Sequence, residues 1–310
     1  MTALPAWVAP DDLQPLDLAS AQLQAWSMGL GDELRAAFDG MVATTGANAS
    51  AGARPYLLPI SQPVVLLPLW LSRALPQQTR VDLVGSALAG YLAVRVQDDW
   101  VDRRCGDAEV AMVLSAALAG RHAALVGRHA VGEAYWHLHA ERWSKYATAM
   151  ALERQLAAGV GPYTEAEFQR VLDRSRPVIL PGAAALALSG RWSVLPRLSA
   201  MVDCIVAAHQ RFDDLRDGLD DLRAGLRTPV LARSGARSAG AWLGWLAADG
   251  ARDELALAAA ELETASQCAQ QLSLPDAEPW LLARSDAMQA WTANWRKGPL
   301  AALMATAEMD

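Results

Sequence analysis

The 310-residue sequence has few cysteines, few charges and no stretch of alternating polar and apolar residues. Cys105, Cys204 and Cys268 show no paired spacing. That argues against a disulfide framework or a cysteine-built zinc site, and suits a reducing, cytoplasmic compartment. Charged residues are only 20% of the chain, against 53% hydrophobic, and the net charge is −7. An acidic balance argues against a nucleic-acid surface and against a basic membrane-binding face. The first basic residue is Arg35, so the N-terminal stretch has no positively charged region of the signal-peptide kind. The longest apolar runs, VVLLPLWL (64–71) and PVILPGAAALALSG (177–190), are proline-broken. They fall short of the roughly 20 residues a membrane span needs.

What the chain does contain is Ala and Leu at spacings of three and four, the pattern of helices throughout. The expected fold class is all-α, one domain of eight or more helices over residues 1–310. Residues 1–15, with prolines at 5, 10 and 15, read as an irregular arm, followed by a helix over 16–42. Residues 44–63 read as a loop. Helices are expected over 79–102, from 107 to 129 and over 131–157, with a break at GVGPY (159–163). Thr164 and Glu167 have capping-box spacing and start the next helix. Pro177 and Pro181–Gly182 interrupt it. A helix over 195–223 follows, and three more fill 228–310.

Two carboxylate clusters break the apolar pattern. In QDDWVDRR (97–104), Asp98 and Asp102 share one helix face, and Asp99 lies beside them. In QRFDDLRDGLDD (210–221), Asp213, Asp217 and Asp221 are spaced by four, with Asp214 and Asp220 flanking. Tyr91 and Val94 precede the first cluster on its face, and Gln210, His209 and Val206 the second. Crowded acids need solvent or a cation. A lone DDxxD is most often a solvated helix end. Two such clusters, each closing an apolar helix in a charge-poor chain, point to Mg²⁺, which takes a few carboxylates and binds substrate phosphates.

DDWVD (98–102) and QRFDDLRDGLDDLRAGLRT (210–228) resemble the two aspartate-rich motifs of the class I isoprenoid synthases, the trans-prenyl diphosphate synthases and class I terpene cyclases. The resemblance covers roughly residues 50–300. It implies a helical bundle around a central apolar cavity. It implies Mg²⁺, three ions by resemblance, held by Asp98, Asp99, Asp102, Asp213, Asp214, Asp217 and Asp221, with a prenyl diphosphate as substrate and a homodimer as a common assembly. Arg227 stands where prenyl synthases carry Lys. Arg170, Arg174 and Arg176, before a proline break similar to the kinked helix of terpene cyclases, supply a diphosphate sensor. The sequence does not single out one of the three.

The departures concern the second substrate. Prenyl synthases carry Gly-Lys-Arg-x-Arg-Pro, of which AGARPY (51–56) keeps only Arg54–Pro55. Their arginine pair beyond the first motif is replaced by Arg103–Arg104, which follow it at once. A terpene synthase that ionises one allylic diphosphate is therefore the expected activity. A prenyl diphosphate synthase and a non-catalytic prenyl-diphosphate-binding homologue are the alternatives. Small residues before the first motif (Ala87, Gly90, Ala93, Val94) suggest a C15 or C20 chain, with Tyr91 and Val94 beside Gln210 and Val206 as substrate contacts. Arg296–Lys297 read equally as a closing basic pair and as a charged helix end. The stripe His129, Glu133, His137, Glu141 reads as a solvated face, His209 as a satisfied core histidine, and most of the 12 tryptophans as packing.

Overall fold

The structure, a computed structural model, describes residues 5–45, 54–57, 63–101, 107–157, 159 and 163–297. Among these there are thirteen α-helices, joined by short 3₁₀ turns, and no strand. The all-α expectation is met. The chain forms two compact units: Met1–Ala140 with Pro177–Leu198 and Leu274–Ala277, and Glu141–Arg176 with Ser199–Ser273 and Glu278–Asp310.

In the first unit, α1 (Pro10–Ser27) and α2 (Asp32–Thr44) replace the expected arm and single helix. Proline is tolerated in the first helical turn, where its missing N–H has no partner to lose, so Pro10 starts α1. Asp12 is 1% exposed. It accepts from the Ala9 N–H at 3.2 Å and from Arg80 at 2.7 Å and Arg73 at 2.6 Å. That buried acid ties α1 to α4 (Gln77–Val101) and to the turn that joins α4 to the short α3 (Leu66–Leu71). Every residue of α3 is buried. Beside it lies α8 (Leu180–Leu188), an Ala-rich helix whose Gly182 allows a close approach: a Cβ there would meet Leu71 Cδ1 at 3.0 Å.

The helix α5 (Ala108–Val126) is capped by Asp107, whose carboxylate accepts from the N–H groups of Glu109 and Val110. It packs along α4 through a polar seam. Ser86 Oγ lies 2.8 Å from His122 Nδ1, and Ser115 Oγ donates to the Ala93 carbonyl at 3.0 Å. Burial lowers the His122 pKa to about 4, so the imidazole is neutral. Gly90 faces the same ring, with a would-be Cβ only 3.0 Å from His122 Nδ1. Its small size thus serves helix packing against α5. Among the described residues α5 alone is long and apolar enough to cross a membrane by length and composition. The sequence reading had singled out no such segment.

The helix α6 (Glu133–Ala157) carries Glu133, His137 and Glu141 of the expected stripe, while His129 lies in the bend before it; the four divide among local ion pairs: His129 with Asp82, His137 with Glu133, and Glu141 with Lys145. In the second unit, α7 (Glu165–Val171) starts at the expected capping box, in which Thr164 and Glu167 bond each other's backbone N–H. The prolines then confine the chain to 3₁₀ turns over Leu172–Arg174 and Arg176–Ile179. The helix α9 (Leu195–Arg223) has the expected limits. Four helices follow instead of three: α10 (Pro229–Ser234), α11 (Ala239–Ala247), α12 (Gly250–Gln271) and α13 (Ala277–Lys297). The extra break is made by Gly235, at φ +65°, where α10 ends in the left-handed conformation that glycine tolerates.

The C-terminal half of α9 packs on α10 and α11 through Leu215, Val230, Leu231, Trp242 and Leu246. Trp242 lies over Gly218, where a Cβ would collide with Cζ2 of the indole. Alanine is the better helix former by about 1 kcal/mol, so Gly218→Ala should stabilise an unpacked helix. We expect it instead to destabilise the protein by about 1–3 kcal/mol through overpacking, read from urea unfolding monitored by tryptophan fluorescence. A stabilised variant would show that Trp242 does not hold this position.

Candidate functional site

The first acid run lies at the end of α4. Asp98 is half-buried in the last helical turn, and the backbone of Asp99 is helical. Asp102, Arg103 and Arg104 lie outside the described residues. The turn is clipped to α5 by Gln97, whose Nε2 donates to Ser115 Oγ at 2.7 Å. Tyr91 makes an edge contact with Tyr56 at 5.5 Å between ring centres. Tyr56 is buried, which raises its pKa to about 12, and its hydroxyl hydrogen-bonds Thr45 Oγ1 at 2.9 Å. Val94 is half-buried.

The second acid run is described side chain by side chain. Residues 209, 213 and 217 share one face of α9. Arg284, fully buried on α13, directs Nη2 at His209 Nδ1. That donor leaves Nδ1 as an acceptor, so the imidazole proton sits on Nε2, 2.9 Å from Asp213 Oδ2. Burial lowers the pKa of His209 and takes that of Arg284 down to about 10. Burial alone would push Asp213 up, but His209, Arg216 and Arg284 outweigh it and bring its pKa down to about 2. Asp213 is therefore a carboxylate held by a neutral histidine.

Arg216 lies against both acids of this face. Its Nη2 is 3.1 Å from Asp213 Oδ1, and its Nε and Nη2 donate to the two oxygens of Asp217 at 2.8 and 2.9 Å. Asp213 and Asp217 thus converge on a single cation, here a guanidinium. Asp221, one turn on, is half-buried, while Asp220 is exposed and pairs with Arg223.

Asp214 faces elsewhere. It is 2% exposed, and its two oxygens accept from Gln210 Nε2 at 2.6 Å and from the Val230 N–H at 3.3 Å. Val230 is in the first turn of α10, so the carboxylate satisfies an N-terminal donor there. Gln210 cannot be flipped without loss, because its Oε1 accepts from Arg174 Nη2 at 2.8 Å. Arg174 in turn bonds Glu153 at 3.0 Å. The result is a relay, Glu153–Arg174–Gln210–Asp214, that ends behind the acid face. Val206 is fully buried one turn before Gln210.

The other predicted basic residues divide. Arg176 is bound by Asp173 and Asp203, well up α9 from the acids, and Arg170 is exposed. Arg227 stands 5.9 Å above the Tyr163 ring. Arg54 lies in a 3₁₀ turn, and Arg296 and Lys297 are in the last turn of α13. The sequence reading did not find Arg216, Arg284 or the cluster on Arg211. Arg211 is 5% exposed and paired with Glu254 and Glu261 over the Phe168 ring. Arg216 had a signal, since it stands inside the motif between two of its acids. Arg284 had none beyond a charge in an apolar helix.

Among the described residues no group of three or more histidine, cysteine or acidic side chains is gathered as a ready metal cage. The donor set that does converge, two carboxylates on one cation, is what Mg²⁺ uses when phosphate oxygens and waters complete its shell. No protein-family model matches the chain, and no curated protein matches it in sequence.

Burial lifts Asp214 to about 7 against Gln210, the Val230 N–H and Arg174, which all lower it. The unfolded chain would ionise this acid at about 3.9. The folded protein therefore holds the extra proton between those values, and its contribution to stability is lost as pH rises from about 4 to 7. Relative to Asp214→Asn, the wild type is expected to lose on the order of a few kcal/mol across that window. Thermal unfolding from pH 4 to 8 measures it; parallel curves for the two proteins would contradict the assignment.

Proposed function

We propose that the protein is a Mg²⁺-dependent class I terpene synthase acting on an allylic prenyl diphosphate. The observation that carries the reading is the convergence of Asp213 and Asp217 on one cation on one face of α9. The two motifs support it, as does the helical fold expected with them.

Asp213 and Asp217 would hold Mg²⁺, with Asp98, Asp99, Asp102 and Asp221 as the remaining candidate ligands. The metal, when bound, would neutralise diphosphate oxygens and so make diphosphate a good leaving group. His209 fixes the orientation of Asp213, and Arg284 fixes the tautomer of His209. Of the three sensor candidates, Arg174 is paired with Glu153 and joined through Gln210 to Asp214, behind the acid face. Arg176 is committed to Asp203 and Asp173. Asp214 keeps the second motif seated on α10, a supporting role distinct from that of Asp213 and Asp217. Since Gly90 serves the contact with His122, the small residues left to suggest a C15 or C20 chain are Ala87 and Ala93, both buried, and Val94, half-buried.

Purified protein with C10, C15 and C20 allylic diphosphates, each with and without isopentenyl diphosphate, tests the reading. With Mg²⁺, and not with EDTA, one substrate alone should yield hydrocarbon or alcohol together with released diphosphate. A longer diphosphate formed only with isopentenyl diphosphate would replace the reading with prenyl chain elongation. No metal-dependent turnover at all would replace it with a non-catalytic binding role. Asp98→Ala and Asp213→Ala should each lower turnover by about a hundredfold or more with helicity by circular dichroism unchanged; unaltered rates would remove these acids from the site.

A further inference from the structure

We infer that Arg216 is an internal substitute for the metal, a guanidinium that holds the Asp213–Asp217 pair and must leave before a divalent cation can load there. The inference rests on the proposed function and adds to it a gate on cation binding.

Its basis is an asymmetry between the two partners of Asp213. On Oδ2 stands His209, 18% exposed in its side chain and backed by the fully buried Arg284 of α13. Moving it would take from the buried Arg284 the hydrogen bond that Nη2 makes to His209 Nδ1. On Oδ1 stands Arg216, 40% exposed, which also grips both oxygens of Asp217, itself 48% exposed. The Arg216–Asp217 pair is exposed on both sides, and such pairs contribute little to stability; Asp213, at 25% exposure, is the more buried end of the clasp. Arg216 therefore compensates two acids one turn apart without being locked there. A dication has twice its charge and far smaller size, so it can compete for the same three oxygens, whereas it cannot displace His209 at comparable cost. The planar fork of arginine makes the arrangement specific, since a lysine cannot clasp Asp217 through two parallel bonds while reaching Asp213.

The test is Mn²⁺ binding to the intact protein, with free Mn²⁺ counted by electron paramagnetic resonance, with and without inorganic diphosphate. Arg216→Gln should bind Mn²⁺ about threefold or more tightly than wild type. Arg223→Gln, which removes an equal charge from the same helix at the exposed Asp220 pair, should change affinity less than twofold. Asp217→Asn should weaken binding in either background. A folded Arg216→Gln that binds Mn²⁺ no better than wild type, or no better than Arg223→Gln, would overturn the gate while leaving the metal site standing. Absence of Mn²⁺ binding in wild type and Arg216→Gln alike, with diphosphate present, would overturn the metal reading itself and the gate with it.

Discussion

Repulsion between carboxylates on the last turns of α9 is the constraint on which the second unit depends. Five aspartates fall between positions 213 and 221. Two unit charges about 5–6 Å apart near a protein surface repel by roughly 3 kcal/mol, so each acid requires its own remedy. Asp220 takes solvent and Arg223. Asp214 is removed from the face by burial and given two donors. Asp213 and Asp217 share Arg216. Asp213 and Asp217 point at one place, so two of the five carboxylates share a single cation position.

Much of the fold was legible from spacing. The limits of α9, the capping box at Thr164 and the proline-broken turns before α8 follow from local rules, and local rules act whatever the tertiary surroundings. The failures share another cause. Pro10 and Pro15 suggested an irregular arm, yet α1 forms because Asp12 on it is claimed by Arg73 and Arg80, distant partners that no window of sequence reveals. Gly90 suggested pocket space, yet it admits His122. A small residue on a helix face states that something comes close; it does not state whether that is a ligand or a neighbouring helix.

The candidate site was legible by residue type and not by role. Motif spacing put seven aspartates in one class, whereas burial and hydrogen bonding separate Asp214 from Asp213 and Asp217. The same holds for the arginines. Arg170, Arg174 and Arg176 are equivalent as letters, but Asp203 and Asp173 claim the third, and Gln210 links the second to the acid-bearing helix. Role depends on which partner reaches a side chain first, and those partners lie up to 75 positions away, as with Arg284 and His209.

A cation site formed from carboxylates faces a conflict between folding and binding. Acids gathered tightly enough to hold a metal alone would repel one another whenever the metal is absent, at a cost to stability. Acids neutralised by buried, rigid partners would fold well but could not release them. α9 divides the task along its length. His209 with Arg284 behind it gives Asp213 a buried partner that sets its direction, and Arg216 gives the Asp213–Asp217 pair a more exposed one that sets its charge balance. One buried and one exposed partner on the same carboxylate let the helix fold with its acids compensated, and the proposed Mg²⁺ with its phosphate ligands would have to meet the pair in that state.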